Sequence, residues 1–156
     1  MRRATEIRPA GDWSAGLEVD RVVLDAGDRH RRRTVLTGEA GTTFLLDLRR
    51  ATVLRDGDGL LLDDGGVVRV TGLAEPLLEI AAATPVQLVR VAWHLGNRHT
   101  DVEVAAGKLR IRRDDVLEDM VARLGASAVQ LMAPFSPEPA SPHHHGDDRP
   151  DDRHGV

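Results

Sequence analysis

The sequence predicts an α+β protein in three parts: a small all-β domain over residues 1–72, a βαββαβ domain over 73–135 and a disordered His-containing tail over 136–156. Three observations carry this reading. Up to residue 72, short apolar runs alternate with Gly/Asp turn signals. From 74 to 135, strand-type and helix-type apolar periodicities take turns. From Ser136 onward, Pro, His and Asp replace the aliphatic residues.

In the first part the apolar runs are Val22-Val23-Leu24, Thr34-Val35-Leu36, Thr43 to Leu48, Leu60-Leu61-Leu62 and Val67 to Val70. Between them lie Asp25 to Asp28, Thr37 to Gly41, Arg55 to Gly59 and Asp63 to Gly66. Several short strands at this spacing suggest a small sandwich or open barrel. No catalytic constellation lies among them. The basic run His30-Arg31-Arg32-Arg33 reads either as a solvated hairpin end or as a patch for nucleic acid or an acidic partner.

In the second part Leu77 to Ala81 reads as a strand. Thr84-Pro85 supplies a hydroxyl acceptor and a preset φ, so a helix should run from Pro85 to about Arg98. Asp101 to Val104 and Leu109 to Arg112 alternate around an Ala106-Gly107 hairpin turn. Asp115 with Glu118 forms a capping-box pattern for a second helix, which Gly125 ends. Val129 to Met132 is the last strand. The order β-α-β-β-α-β is the ferredoxin-like split pattern.

The tail holds Glu138, Asp147, Asp148, Asp151 and Asp152 against Arg149 and Arg153, with four prolines and almost no aliphatics. It cannot bury enough apolar surface to offset its ordering entropy. It also holds His143, His144, His145 and His154, a metal-binding composition; the bland alternative is a merely solubilising tail.

Composition removes several functions. The chain has 156 residues, seven His and no Cys, so disulfide frameworks, Cys-based zinc fingers and thiol catalysis are out. A net charge of −4 disfavours nucleic acid as a partner. No apolar run approaches the roughly 20 residues that span a bilayer, and no apolar stretch follows Arg2-Arg3, so a cytoplasmic protein without membrane association is expected. Nucleophile-elbow and phosphate-loop motifs are missing, so no enzyme activity is expected.

The first helix carries the informative residues. At 100° per residue Gln87, Arg90, His94, Asn97 and Arg98 share a polar face, which makes His94 a solvent-facing residue. If the helical turn continues, His99 extends the stripe Leu88, Ala92 and Leu95. A second stripe, Val86, Val89 and Trp93, could pack on the sheet, and so broad an apolar face is a candidate association surface. His99 is then either a ligand or a buried imidazole satisfied by a carbonyl. His94 and His99 are not at zincin spacing, and no carboxylate lies between them to serve as a base, so a metallohydrolase is the weakest reading. One imidazole cannot hold a transition metal, but a homodimer with His99 near its two-fold axis doubles the ligand count, and the tail can add more. Nitrogen ligands without thiolate fit Ni, Zn, Cu(II) or Co.

Trp93-His94-Leu95-Gly96-Asn97-Arg98-His99 resembles the hallmark helix end of the urease accessory protein UreE family, the nickel metallochaperones. The likeness continues in Leu54 to Asp58, Asp115 to Met120 and Pro134 to Glu138 before a His-bearing tail. It implies an N-terminal domain similar to the peptide-binding domains of Hsp40-type chaperones and a C-terminal metal-binding domain that joins homodimers. It further implies that His99 is the interface Ni(II) ligand, that His94 is a less secure one, and that the tail histidines are auxiliary. The implied partners are urease apoprotein and accessory proteins including the GTPase UreG; Zn(II), Cu(II) and Co(II) would compete as cargo. Arg112 to Asp115 stand where some relatives carry peripheral histidines, so a secondary site there is not expected. The competing reading is a non-metal peptide- or protein-binding module with a solubilising tail.

Overall fold

The computed structural model describes residues 1–139; the four tail histidines and the carboxylates from Asp147 onward lie outside the described residues. The described residues build two sheets. Strands β1 (Arg2–Arg8), β2 (Glu18–Leu24), β3 (His30–Thr37), β4 (Thr43–Val53), β5 (Gly59–Leu62) and β6 (Val67–Gly72) form a six-stranded sheet in the order β2-β6-β5-β1-β4-β3. The second sheet is four-stranded, β10-β7-β9-β8, from β7 (Ala74–Ala81), β8 (Glu103–Ala105), β9 (Lys108–Arg112) and β10 (Ser127–Pro134). Helices α1 (Pro85–Asn97) and α2 (Asp115–Arg123) complete it, and every neighbouring strand pair in this sheet is antiparallel.

All five apolar runs of the first half fall in β2 to β6, but β1 is an addition. Arg2 to Arg8 carries only Ala4 fully buried, with Ile7 partly so. Its order comes from the backbone: β1 pairs parallel with β4 on one side and antiparallel with β5 on the other. A strand with two ladder neighbours needs little side-chain burial of its own. The core beneath is aliphatic apart from Phe44: Val22, Leu46, Leu48, Leu54, Leu60, Leu62, Val68 and Val70.

The outermost strands, β2 and β3, are drawn together at one end, so the sheet curls as an open barrel does. Glu39 N–H donates to the Arg21 carbonyl at 2.9 Å. Asp20, nearly buried, accepts from the N–H groups of Arg21, Ala40 and Thr42 at 2.7, 2.9 and 3.0 Å. Its carboxylate occupies the space a Cβ on Gly38 would need. Burial pushes the Asp20 pKa up, but the backbone donors and the Thr42 hydroxyl outweigh it and bring it down to about 2. A depressed carboxylate stabilises the fold above its unfolded value of 3.8, and that stabilisation is lost as pH falls through about 2. Asp20→Asn should therefore unfold at lower urea than the parent near neutral pH, and the gap should shrink as pH falls from 3.8 to about 2. A gap independent of pH would contradict this role for the carboxylate.

The second half follows its local signals closely. Ala106 and Gly107 both have positive φ, 48° and 74°, as a type I′ hairpin requires. Helix α2 departs from expectation at its start: the cap is Asp114, whose Oδ1 accepts from Leu117 N–H at 3.0 Å, and Asp115 and Glu118 lie in the first turn. Asp114 reaches the N–H three residues on, so no reciprocal box with Glu118 forms. Leu78, Ile80, Leu109 and Ile111 from the sheet meet Val91, Leu95 and Val121 from the helices as one core.

The halves are clamped together. Gly72 lies so close to β10 that a Cβ there would sit 2.6 Å from Pro134 Cβ. Phe135 is fully buried with Ala26 and Leu77. Arg29, also fully buried, donates to the Leu54 carbonyl at 3.2 Å, to Ser136 Oγ at 3.1 Å and to the Phe135 carbonyl. From the other side Glu103 accepts from Ser136 N–H at 2.6 Å, and Glu138 N–H donates to the Val102 carbonyl at 2.7 Å. Residues 136–138, expected to begin a disordered tail, are instead held by both halves. Buried Arg29 and Glu103 supply the partners that this polar segment lacks by itself.

Candidate metal centre

Helix α1 positions the candidate ligands. It starts as its sequence dictates, with Thr84 Oγ1 accepting from Gln87 N–H at 3.2 Å and Pro85 in the first turn. Gln87 is only half-exposed. Its amide donates to the Leu124 carbonyl at 3.3 Å and fills the space beside Gly125, so it ties α1 to the end of α2 instead of facing solvent.

The helix does not continue to His99. It ends at Asn97, and His99 turns into the left-handed region at φ 54°. His99 N–H donates to Gly96 O at 3.0 Å and Thr100 N–H to Leu95 O at 3.1 Å, the bond pair of a Schellman termination. That position usually holds glycine, because a Cβ there crowds the backbone. His99 and Ala106 are the two described non-glycine residues at positive φ. The imidazole is therefore neither an extension of the Leu88–Ala92–Leu95 stripe nor a buried group on a carbonyl. It is exposed beyond the helix end.

The two apolar stripes of α1 have different fates. Leu88, Val91, Ala92 and Leu95 pack on the sheet. Val86, Val89 and Trp93 do not; they stand 68, 68 and 64% exposed. One sheet cannot contact both sides of a helix, and the Leu95 side already occupies it. His94 is half-buried beside this bare stripe, with its ring edge-on to Trp93 at 5.0 Å and 86°. It shares a shallow groove with Val86, Val89, Arg90 and Trp93.

A cleft of about 610 Å³ opens next to His99, and Asp101, Val102, Glu138 and Pro139 are among its walls. The described part of the chain thus ends in the cleft that holds the imidazole. His143, His144 and His145 follow Pro139 by four to six positions, a reach of roughly 13–21 Å for extended chain. Sequence reasoning missed this juxtaposition. The polar residues Ser136 to Glu138 gave no hint that Arg29 and Glu103 would fix them. Among the described residues no group of three or more His, Asp or Glu side chains is arranged to hold a metal ion. His30, also exposed, starts β3 in the other sheet, apart from the α1 end. An exposed imidazole offers one nitrogen lone pair to a borderline cation, and ligands from elsewhere must complete the coordination.

Comparison with known proteins decides the family. The model of the UreE urease accessory protein C-terminal domain matches residues 75–155, and that of its N-terminal domain matches residues 3–72. The chain belongs to the UreE family of urease accessory proteins. It is 52% identical over 150 residues to the urease accessory protein UreE of Rhodopseudomonas palustris strain BisB18, covering 92% of this chain and 71% of that protein. The UreE proteins of Bradyrhizobium sp. strains BTAi1 and ORS 278 are each 53% identical over 138 residues, or 88% of this chain. The chain spans 66 and 65% of their respective lengths. The two matched UreE segments meet where the first sheet gives way to the second, and the C-terminal one contains both His94 and His99. No described helix is long and apolar enough to cross a membrane.

Proposed function

We propose that this chain is a cytoplasmic nickel metallochaperone that holds Ni(II) at a homodimer interface and delivers it for urease active-site assembly. The observation that carries the reading is His99, an imidazole kept at a strained helix end in the cleft from which the tail departs. The bare stripe Val86, Val89 and Trp93 supports pairing of two copies through α1, because an isologous contact repeats each residue, and a two-fold axis near the C-terminal end of α1 would bring two His99 side chains to one site. His143, His144, His145 and His154 would serve as auxiliary ligands, and His94, half-buried beside Trp93, as a lesser candidate. Membership of the family supports urease apoprotein and accessory proteins, including the GTPase UreG, as partners, with no reaction catalysed by the chain itself.

The strand order β10-β7-β9-β8 around two helices supports a ferredoxin-like reading of residues 73–135. An Hsp40-like reading of 1–72 rests on the family. Exposed nitrogen ligands suit release as well as capture, whereas buried thiolates would favour retention of soft metals. Zn(II), Cu(II) and Co(II) are the competitors to expect.

Calorimetric titration of the full chain with Ni(II) tests the proposal. About one tight ion per dimer is expected from a two-fold shared ligand set. His99→Ala should remove that ion. Changing His143, His144 and His145 together to Ala should leave it in place but weaker, with fewer ions bound in all. Unchanged stoichiometry in His99→Ala would refute the assignment.

A further inference from the structure

His99 stands between two cavities. The cleft that receives Glu138 and Pro139 shares His99, Thr100 and Asp101 with a second pocket of about 270 Å³, whose other walls include Arg98, Arg112 and Arg113. Arg112 is already paired there, with Asp101 at 2.9 Å and Glu75 at 3.3 Å. Asp114, also in the pocket, accepts from Leu117 N–H as the cap of α2. Arg98 and Arg113 are exposed and make no ion pair among the described residues. Two unpaired positive charges beside an imidazole oppose a divalent cation on that imidazole until carboxylates join them.

The rest of the chain supplies such carboxylates. Asp147 and Asp148 lie outside the described residues, eight and nine positions after Pro139, and the stretch from Asp147 to Asp152 sets four aspartates against Arg149 alone. Extended chain of that length reaches roughly 26–32 Å. The order in sequence also matches the order in space. Pro139 is in the cleft, His99 forms the boundary and the arginines line the pocket beyond it. Along the chain Pro139 comes first, His143 to His145 next and Asp147-Asp148 last.

We infer that Arg98 and Arg113 are the docking site for Asp147 and Asp148 of the chain's own tail, a clasp that lays His143, His144 and His145 across His99. Its purpose rests on the reading of His99 as a Ni(II) ligand; its charge complementarity does not. Guanidinium groups suit the role because they hold carboxylates through paired N–H donors and have no lone pair with which to compete for metal. Closing the clasp raises the effective concentration of the tail imidazoles at His99. A free anion or an acidic partner would meet the same charges, but neither brings histidines to His99 in this order.

The test uses the full chain, first without metal. Because the chain has no Cys, Gly146→Cys gives a single site for a fluorescent acceptor, with Trp93 as donor in a Trp13→Phe background. Energy transfer should be high at low salt and fall as salt is raised. Arg98→Gln/Arg113→Gln should give the low value at every salt concentration, and Asp147→Asn/Asp148→Asn should match it. Arg98→Glu/Arg113→Glu should lose transfer too, and adding Asp147→Arg/Asp148→Arg should restore it. Failure of that rescue would overturn the inference, because a free anion or a partner would then be the occupant. Transfer insensitive to salt and to both arginines would do the same. With Ni(II), the two neutral variants should bind as many ions as the parent but roughly 3–10-fold more weakly, the scale of two exposed ion pairs. Unchanged affinity would also count against the clasp. A parent that bound no Ni(II) yet kept its salt-sensitive transfer and charge-swap rescue would refute the nickel reading and uphold the clasp.

Discussion

Replacing Arg29 with alanine should lower the free energy of unfolding by about 3 kcal/mol or more, and should uncouple the two halves of the chain. The loss has several sources. The Leu54 and Phe135 carbonyls and Ser136 Oγ lose their guanidinium donor inside the protein, at roughly 1–3 kcal/mol for each group left unsatisfied. The removed side chain leaves a void that close-packed surroundings only partly fill. Glu75, Asp56, Glu103 and Asp25 lose the favourable interaction with its positive charge. Against this stands the cost of burying Arg29 itself, which pushes its pKa down and is recovered on substitution. Relief of that cost is why the net loss should be smaller than the gross sum. Arg29→Met, which keeps most of the volume, should be milder by the cavity contribution alone.

The two tryptophans make the uncoupling measurable. Trp13 sits in the first half, with its indole N–H on the Gly57 carbonyl at 3.1 Å and the Arg69 guanidinium over its ring, while Trp93 lies on α1. In single-tryptophan versions, urea transitions reported by the two residues should coincide in the parent and separate in Arg29→Ala. Coincident transitions with a loss under about 1 kcal/mol would show that the clamp is carried by Phe135 and Gly72 instead.

Local signals were legible wherever the chain decides its own conformation. Thr84-Pro85 marked the start of α1, Ala106-Gly107 the hairpin, and the aliphatic runs the strands β2 to β6, because caps, turns and alternation act over a few residues. Strand β1 was invisible for the opposite reason: its order derives from β4 and β5, and Arg2 to Arg8 has little apolar alternation to show. The roles of Arg29, Asp20 and Glu103 were equally hidden. Each is a charged residue whose value comes from partners distant in sequence, and composition reads such residues as surface. At the site, the motif singled out His99 as a candidate but gave the wrong backbone for it. Asn97-Arg98-His99 contains no glycine, so nothing announced a left-handed turn.

That turn allows stability and metal binding to be moved in opposite directions. His99→Gly should raise the unfolding free energy of the metal-free protein by about 0.5–1 kcal/mol and abolish the tight Ni(II) site. A left-handed L-residue costs roughly 1–2 kcal/mol, which glycine avoids, and part of the gain is returned because glycine has more freedom to lose on folding. His99→Ala keeps the same φ and the same crowding, so its metal-free stability should stay close to that of the parent while its metal binding is lost. The pair of variants separates the imidazole from the backbone it sits on. Thermal unfolding with and without Ni(II) provides the readout: the parent alone should gain stability from the ion, by an amount that grows with free metal. If glycine brought no gain in the metal-free state, the position would not be strained, and the case for a histidine retained for its ligand would weaken. If glycine brought the gain and removed the metal response, the strain at φ 54° would be what the chain sustains to hold an imidazole beyond the end of α1.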